Sequence, residues 1–127
     1  MEHFLWEELE KQEGVYHPRV GRGGTLTGET IEVSRVFYPA GHRPGHHSHA
    51  NEQIITVLSG LLRVTIDGDQ TFEAGTGTVF RFPSNIPHNV EVIEDTVFLS
   101  LKNLVDGQGS AGPRVWYEPP PGGSLEG

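Results

Sequence analysis

The chain has 127 residues, enough for one domain with a real core but not for two. Its 17 acidic and 9 basic side chains give a formal charge of -8 with no Lys/Arg run, which excludes the clustered positive surface that nucleic-acid backbones require. The absence of cysteine excludes disulfides, thiolate catalysis and a zinc–thiolate structural site.

Met1 to Glu10 carries acids every few positions and no basic segment ahead of an apolar run, so no secretory signal is expected. No stretch approaches membrane-spanning length, and a cytoplasmic protein without membrane contact is the expectation. Phe4, Leu5 and Leu9 interleaved with Glu7, Glu8 and Glu10 predict one short amphipathic helix or turn. Strands are expected at Val15–Val20, Thr30–Tyr38, Gln53–Leu58, Leu62–Ile66, Gln70–Phe72, Thr78–Phe82, Asn89–Ile93 and Val97–Leu101. Between two of them, Asp67-Gly68 is a hairpin signal, because glycine accepts the positive φ of a tight connection. The 17 Gly and 9 Pro fit many short strands joined by turns, and predict an all-β jelly-roll sandwich or closed barrel. Residues 1–28 read as an N-terminal segment that packs on the barrel or exchanges with a neighbour, 29–105 as the barrel, and 106–127 as a C-terminal extension. From Glu118 onward the Pro/Gly-rich end has nothing apolar to bury and is expected to be disordered.

Candidate chemistry lies in two blocks. Gly41, five residues, His47-x-His49, three residues, Gln53, six residues and Gly60 form the first; Gly77, five residues and Pro83-x-Asn85-x2-His88 form the second. In extended backbone, residues two apart share a face, so His47, His49, Gln53, Ile55 and Val57 are expected on one side and Glu52 on the other. A register slip by one residue makes Glu52 the ligand, at the cost of turning the following apolar face outward. His88 shares the apolar side of its strand with Val90 and Val92, where a fourth ligand belongs. His46 has the opposite parity, and His3, His17 and His42 lie outside the pattern. Three imidazoles and one neutral amide oxygen make a set suited to a divalent transition metal, and Mn, Fe, Ni, Co and Zn all fit it.

Together the two blocks resemble the paired motifs of the cupin family over Val33 to Asn103. The family pattern has Glu where Gln53 stands, Gly at Asn85 and a late Asn at Val92, while all the histidines match. The resemblance implies a double-stranded β-helix with the metal held by His47, His49, Gln53 and His88, and a homodimer in which the segment around Trp6 crosses onto the neighbour. Within the family, the stretch from His47 to Ile54 is similar to small single-domain members with a His/His/Gln/His site, among them pectin-degradation proteins that open unsaturated uronates. Those carry an acid/base Asp on the last barrel strand where this chain has Ser100, a poor proton acceptor near neutrality.

Ile31, Val33, Arg35 and Phe37 alternate on β-strand parity, and this largely apolar face is expected to look inward. Arg35 then either pairs with an internal Glu or holds an anionic ligand. For the last strand, pattern alone leaves open which face is inward; the cupin resemblance favours Phe98, Ser100 and Lys102 as substrate-binding neighbours, beside Arg35 and Phe37. Arg81 reads as a solvated surface arginine. A neutral ligand set leaves the dication's charge uncompensated, which attracts an anionic substrate and favours Lewis-acid work over oxidation. The leading expectation is a metal-dependent enzyme of isomerase, lyase or ring-opening type acting on a small anionic or sugar-derived metabolite. The alternatives are a metal-dependent dioxygenase and a non-catalytic metabolite-binding or sensing module.

Overall fold

A computed structural model describes residues 2–11, 22–67 and 70–118 of the chain. The strand expected at Val15–Val20 and the Pro/Gly-rich end after Glu118 lie outside the described residues. The elements are α1 (Trp6–Glu10), β1 (Arg22–Thr27), β2 (Ile31–Tyr38), β3 (His46–Ser48), β4 (Gln53–Ile66), β5 (Gln70–Gly75), β6 (Val79–Phe82), β7 (His88–Asn103) and β8 (Val115–Glu118). All strand pairs are antiparallel, and the fold is the expected all-β jelly roll.

Two long strands form its spine. The C-terminal half of β7 lies between β2 and the first half of β4, which carries β6 on its other edge. The N-terminal half of β7 lies between β3 and the second half of β4, which carries β5. Four sequence-predicted strands thus merge into two. The break at Gly60 is absorbed by register shifts between Val57 and Leu62, where the strands turn a corner. Gly60 sits at φ 109, and a Cβ there would collide with Asp95 O and Thr96 Oγ1, so only glycine lets the strands approach. In the hairpin after β4 it is Asp67, at φ 57, that takes a left-handed conformation. Asn85, where the family pattern has Gly, stands at φ 62, a conformation asparagine tolerates better than most residues.

Between the two halves lies a core of Val36, Tyr38, Ile55, Val57, Leu62, Val64, Ala74, Phe80, Phe82, Val90, Val92 and Phe98. The parity of β2 corrects the sequence expectation. Glu32, Ser34, Val36 and Tyr38 are the buried set, and Arg35 and Phe37 lie on the outer face with Val33. Both faces of β2 carry apolar residues, so alternation does not say which is inward. The deciding partner is distant: Glu32 is buried because its Oε1 accepts hydrogen bonds from Ser110 N and Oγ at 2.9 and 2.8 Å. The short helix docks by Leu9, which is buried against the Cβ-free surface of Gly24.

Candidate metal centre

His47 on β3, His49 just after it, Gln53 at the start of β4 and His88 at the start of β7 meet at one end of the barrel. Their strands are adjacent, with His47 and His88 as direct Cα partners. All four side chains are buried. The candidate ligand nitrogens of the three histidines lie within 4.8 Å of one another.

Each imidazole is held in a defined tautomer. Nδ1 of His47 donates to Gly45 O at 3.0 Å, that of His49 to Asn51 O at 2.9 Å and that of His88 to Ile86 O at 3.1 Å. Since a carbonyl can only accept, Nδ1 carries the proton and each Nε2 keeps a lone pair, the arrangement that orients histidine toward a metal. The His88 ring is further held by stacking on Phe82, with centroids 3.8 Å apart and planes 7° from parallel. Burial pushes all three pKa values down from 6.5: His47 to about 3, His49 to about 4 and His88 to about 2, the last also repelled by its two histidine neighbours. The cluster is therefore neutral at neutral pH.

Gln53 places a candidate amide donor beside the three histidines. Its Nε2 donates to Ser100 Oγ at 2.8 Å, which leaves Oε1 facing His49 Nε2 at 3.1 Å. In the tautomer fixed by Asn51 O, both atoms present lone pairs to each other. A shared cation turns that repulsive contact into a favourable one, so the residues fit a divalent metal. Ser100, at the position where the resemblance implies an acid/base Asp, orients the amide.

Phe98, Ser100 and Lys102 are buried on the inner face of β7, and Phe98 and Lys102 line the cavity beside His47, Gln53 and His88. Lys102 is pushed down from 10.5 to about 7, first by burial and then by the Arg114 charge, against a smaller opposing pull from Glu32. Arg35 and Phe37 are not part of this cavity. The Arg35 guanidinium approaches Glu10 at 3.9 Å on the outside of the barrel, with its side chain 40% exposed, so the inward arginine that either an internal Glu or a ligand was expected to satisfy is not what the fold presents. Glu52 points outward to Arg81 at 3.0 Å, so the register that presents Gln53 is the one observed.

Sequence reasoning missed Tyr38, Arg114 and Trp116, which also line the cavity. The latter two arrive on or just before β8, which pairs with β3 so that Trp116 stands opposite His47 with ring centroids 5.0 Å apart. Nothing in the spacing of residues 106–118 marks a strand; the only signal is an arginine and two aromatics in an otherwise small and polar stretch.

A bent double antiparallel sheet with three neutral imidazoles and an amide gathered at one end defines a jelly-roll barrel with a candidate mononuclear metal centre. The family model described as a cupin domain matches residues 34–101, more than half of the chain, and the chain belongs to the cupin family. No curated protein matches it. Among solved structures it is similar to KdgF from Halomonas sp., at 19% identity and TM-score 0.63 over 67% of this chain and 79% of that one. It is also similar to the conserved SPY1581 protein of unknown function from Streptococcus pyogenes, at 24% identity and TM-score 0.59 over 68% and 74% of the two chains. A third likeness is to a single-residue variant of the oxalate decarboxylase of Bacillus subtilis, at 22% identity and TM-score 0.67, where 76% of this chain covers only 28% of the other. At these identities the likeness is one of fold.

Proposed function

We propose that this cupin binds one divalent transition-metal ion through Nε2 of His47, His49 and His88 and Oε1 of Gln53, and acts on a small anionic metabolite as an isomerase, lyase or ring-opening enzyme. The observation that carries the reading is the set of Nδ1 hydrogen bonds to backbone carbonyls, which aims three neutral, buried nitrogens at one point. Manganese is a natural candidate, since a structural neighbour is the oxalate decarboxylase of Bacillus subtilis described for its Mn(II) centers; Fe, Ni, Co and Zn suit the same donors. When bound, the ion supplies Lewis-acid polarisation of a substrate oxygen, with its charge undiminished by the neutral ligands. The chain's own residues do the rest. Gln53, held by Ser100, keeps a neutral donor in place; Lys102 offers a cation inside the cavity; Tyr38, Phe98 and Phe82 exclude water from around it.

A cytoplasmic homodimer belongs to the same proposal. Ile54, Leu58 and Val79 stand exposed on the outer face of the sheet, an apolar surface that a second copy covers. A monomer mass in sedimentation removes that element.

The test is incubation of metal-reconstituted protein with a panel of small hydroxy, oxo and enol acids, followed by NMR and an oxygen electrode. Product formed without oxygen uptake is the expected result. Oxygen consumed in step with product makes the protein a dioxygenase, and recovery of every acid unchanged makes it a binding module; either outcome overturns the proposal.

A further inference from the structure

His49 and Gln53 are joined by a loop, since β3 ends at Ser48 and β4 begins at Gln53, so no strand ladder fixes residues 49–52. Yet this loop delivers two of the four candidate ligands. On one side Asn85 N donates to His49 O at 2.8 Å, and Ser84 Oγ donates to Ala50 O. On the other side the anchors come from beyond residue 101, where the matched cupin domain ends. Asn51, only 3% exposed, donates from Nδ2 to Asn103 O at 2.7 Å and to Gln108 O at 2.9 Å, and Glu52 N donates to Asn103 Oδ1 at 2.7 Å. Those acceptors belong to a built structure. Val105 and Gln108 close a tight turn by exchanging two backbone hydrogen bonds of 3.0 Å, with Asp106 at φ 53 and Gly107 at φ 75 between them. Just after it, Ser110 is fastened to the buried Glu32.

One peptide unit connects this clamp to the candidate metal centre. The Asn51 carbonyl and the Glu52 N–H lie in a single rigid plane. The carbonyl accepts from Nδ1 of His49 at 2.9 Å while the N–H donates to Asn103 Oδ1 at 2.7 Å, so any rotation of the plane breaks both bonds together. The outer bond therefore steadies the inner one. Hydrogen bonds in series through a peptide also strengthen one another by polarisation. Asn103 thus acts on the His49 ring without touching it. The rings of His47 and His88 rest on different carbonyls, those of Gly45 and Ile86, and supply an internal comparison.

We propose that Asn103 and Asn51 are positioning residues: through the Asn51–Glu52 peptide they hold the His49 imidazole in the tautomer that turns Nε2 toward a metal. The inference rests on the functional reading for the ion and goes beyond it by placing control of one ligand in the chain that follows the barrel. Asn103 is required as an acceptor and Asn51 as a donor, so the same Asn→Asp change has opposite consequences at the two positions.

The experiment is NMR of the histidine ring nitrogens in metal-stripped, full-length protein at one fixed pH, with manganese affinity measured separately by chelator competition. In the wild type all three clustered rings are expected as the Nδ1–H tautomer. Asn103→Ala, at an exposed position, is expected to give a mixture of tautomers at His49 alone and to weaken manganese binding about tenfold. Asn103→Asp keeps the acceptor and is expected to retain both wild-type properties, whereas Asn51→Asp loses the donor and behaves like Asn103→Ala. Leu9→Ala, in the core contact of α1, is expected to lower the urea midpoint while leaving rings and affinity unchanged. A single Nδ1–H tautomer at His49 in Asn103→Ala, a mixture spread over all three rings, or an unaltered manganese affinity beside a mixed His49 overturns the inference. A wild type that takes up no manganese while His49 still becomes mixed in Asn103→Ala removes the functional reading and leaves the ring relay standing. Manganese bound by the wild type with His49 unmoved in Asn103→Ala does the reverse.

Discussion

Gln53 sits at a balance between two contacts, one that orients its amide and one that only a cation makes favourable. Removing the first should be felt at the second. Ser100→Ala leaves the Gln53 amide without its acceptor, at a cost of about 1–3 kcal/mol for an unsatisfied buried group, and metal affinity measured by chelator competition is expected to fall about tenfold, as for other groups that orient a ligand. Gln53→Glu works in the opposite direction. It supplies a charged donor in place of a neutral one, and the same competition assay is expected to show tighter binding by about tenfold or more. An unchanged affinity in Gln53→Glu would place that side chain outside the coordination sphere. Residue parity is where the sequence is most informative, because the spacing of histidine and glutamine within a single stretch is local and survives folding. Arg35 departs from its expected place because β2 has two apolar faces, and the inward one is marked only by Glu32 and a partner 78 residues away.

Strand boundaries show what local pattern cannot carry. The stretch around Gly60 and the acidic pair Glu94 and Asp95 read as turns between strands, yet both are taken into continuous strands that bend at the corner of the barrel. The bend depends on close backbone approach, with Thr96 Oγ1 accepting from Leu61 N at 3.1 Å and donating to Glu94 O at 2.7 Å. Gly60→Ala puts a methyl group into that contact at a positive φ, and is expected to destabilise the fold by more than about 2 kcal/mol in urea denaturation. A change within about 0.5 kcal/mol would mean that the corner yields easily. β8 is illegible for a different reason. It has four residues, none of them buried, and its stability comes from β3 rather than from its own sequence.

For the molecule as a whole, the neutral histidine cluster sets the acid limit of the metal-free protein. Folded pKa values of about 3, 4 and 2 lie below the ordinary 6.5, so as pH falls below about 6.5 the unfolded chain takes up protons that the folded chain refuses. Stability is present above that range and lost toward acid, with a slope approaching about 1.4 kcal/mol per pH unit for each histidine. Urea midpoints of metal-stripped protein are expected to drop steeply between about pH 6 and pH 4, and His88→Leu to remove about a third of the slope. A flat profile would mean that the histidines are solvated. Lys102 adds a second, alkaline feature: its pKa is lowered from 10.5 to about 7, so its burial costs stability at and below neutrality, and that cost is relieved as pH rises toward about 10.

Four side chains from β3, β4 and the segments beside them, with β7, converge on one metal position, and the functional reading stands or falls with it. Elemental analysis of purified protein beside His88→Ala, both saturated with manganese and then dialysed, is the decisive check. One ion per wild-type chain is expected and, with affinity reduced more than about a hundredfold, almost none in the variant. Equal metal content in the two proteins would remove His88, and with it the proposed centre.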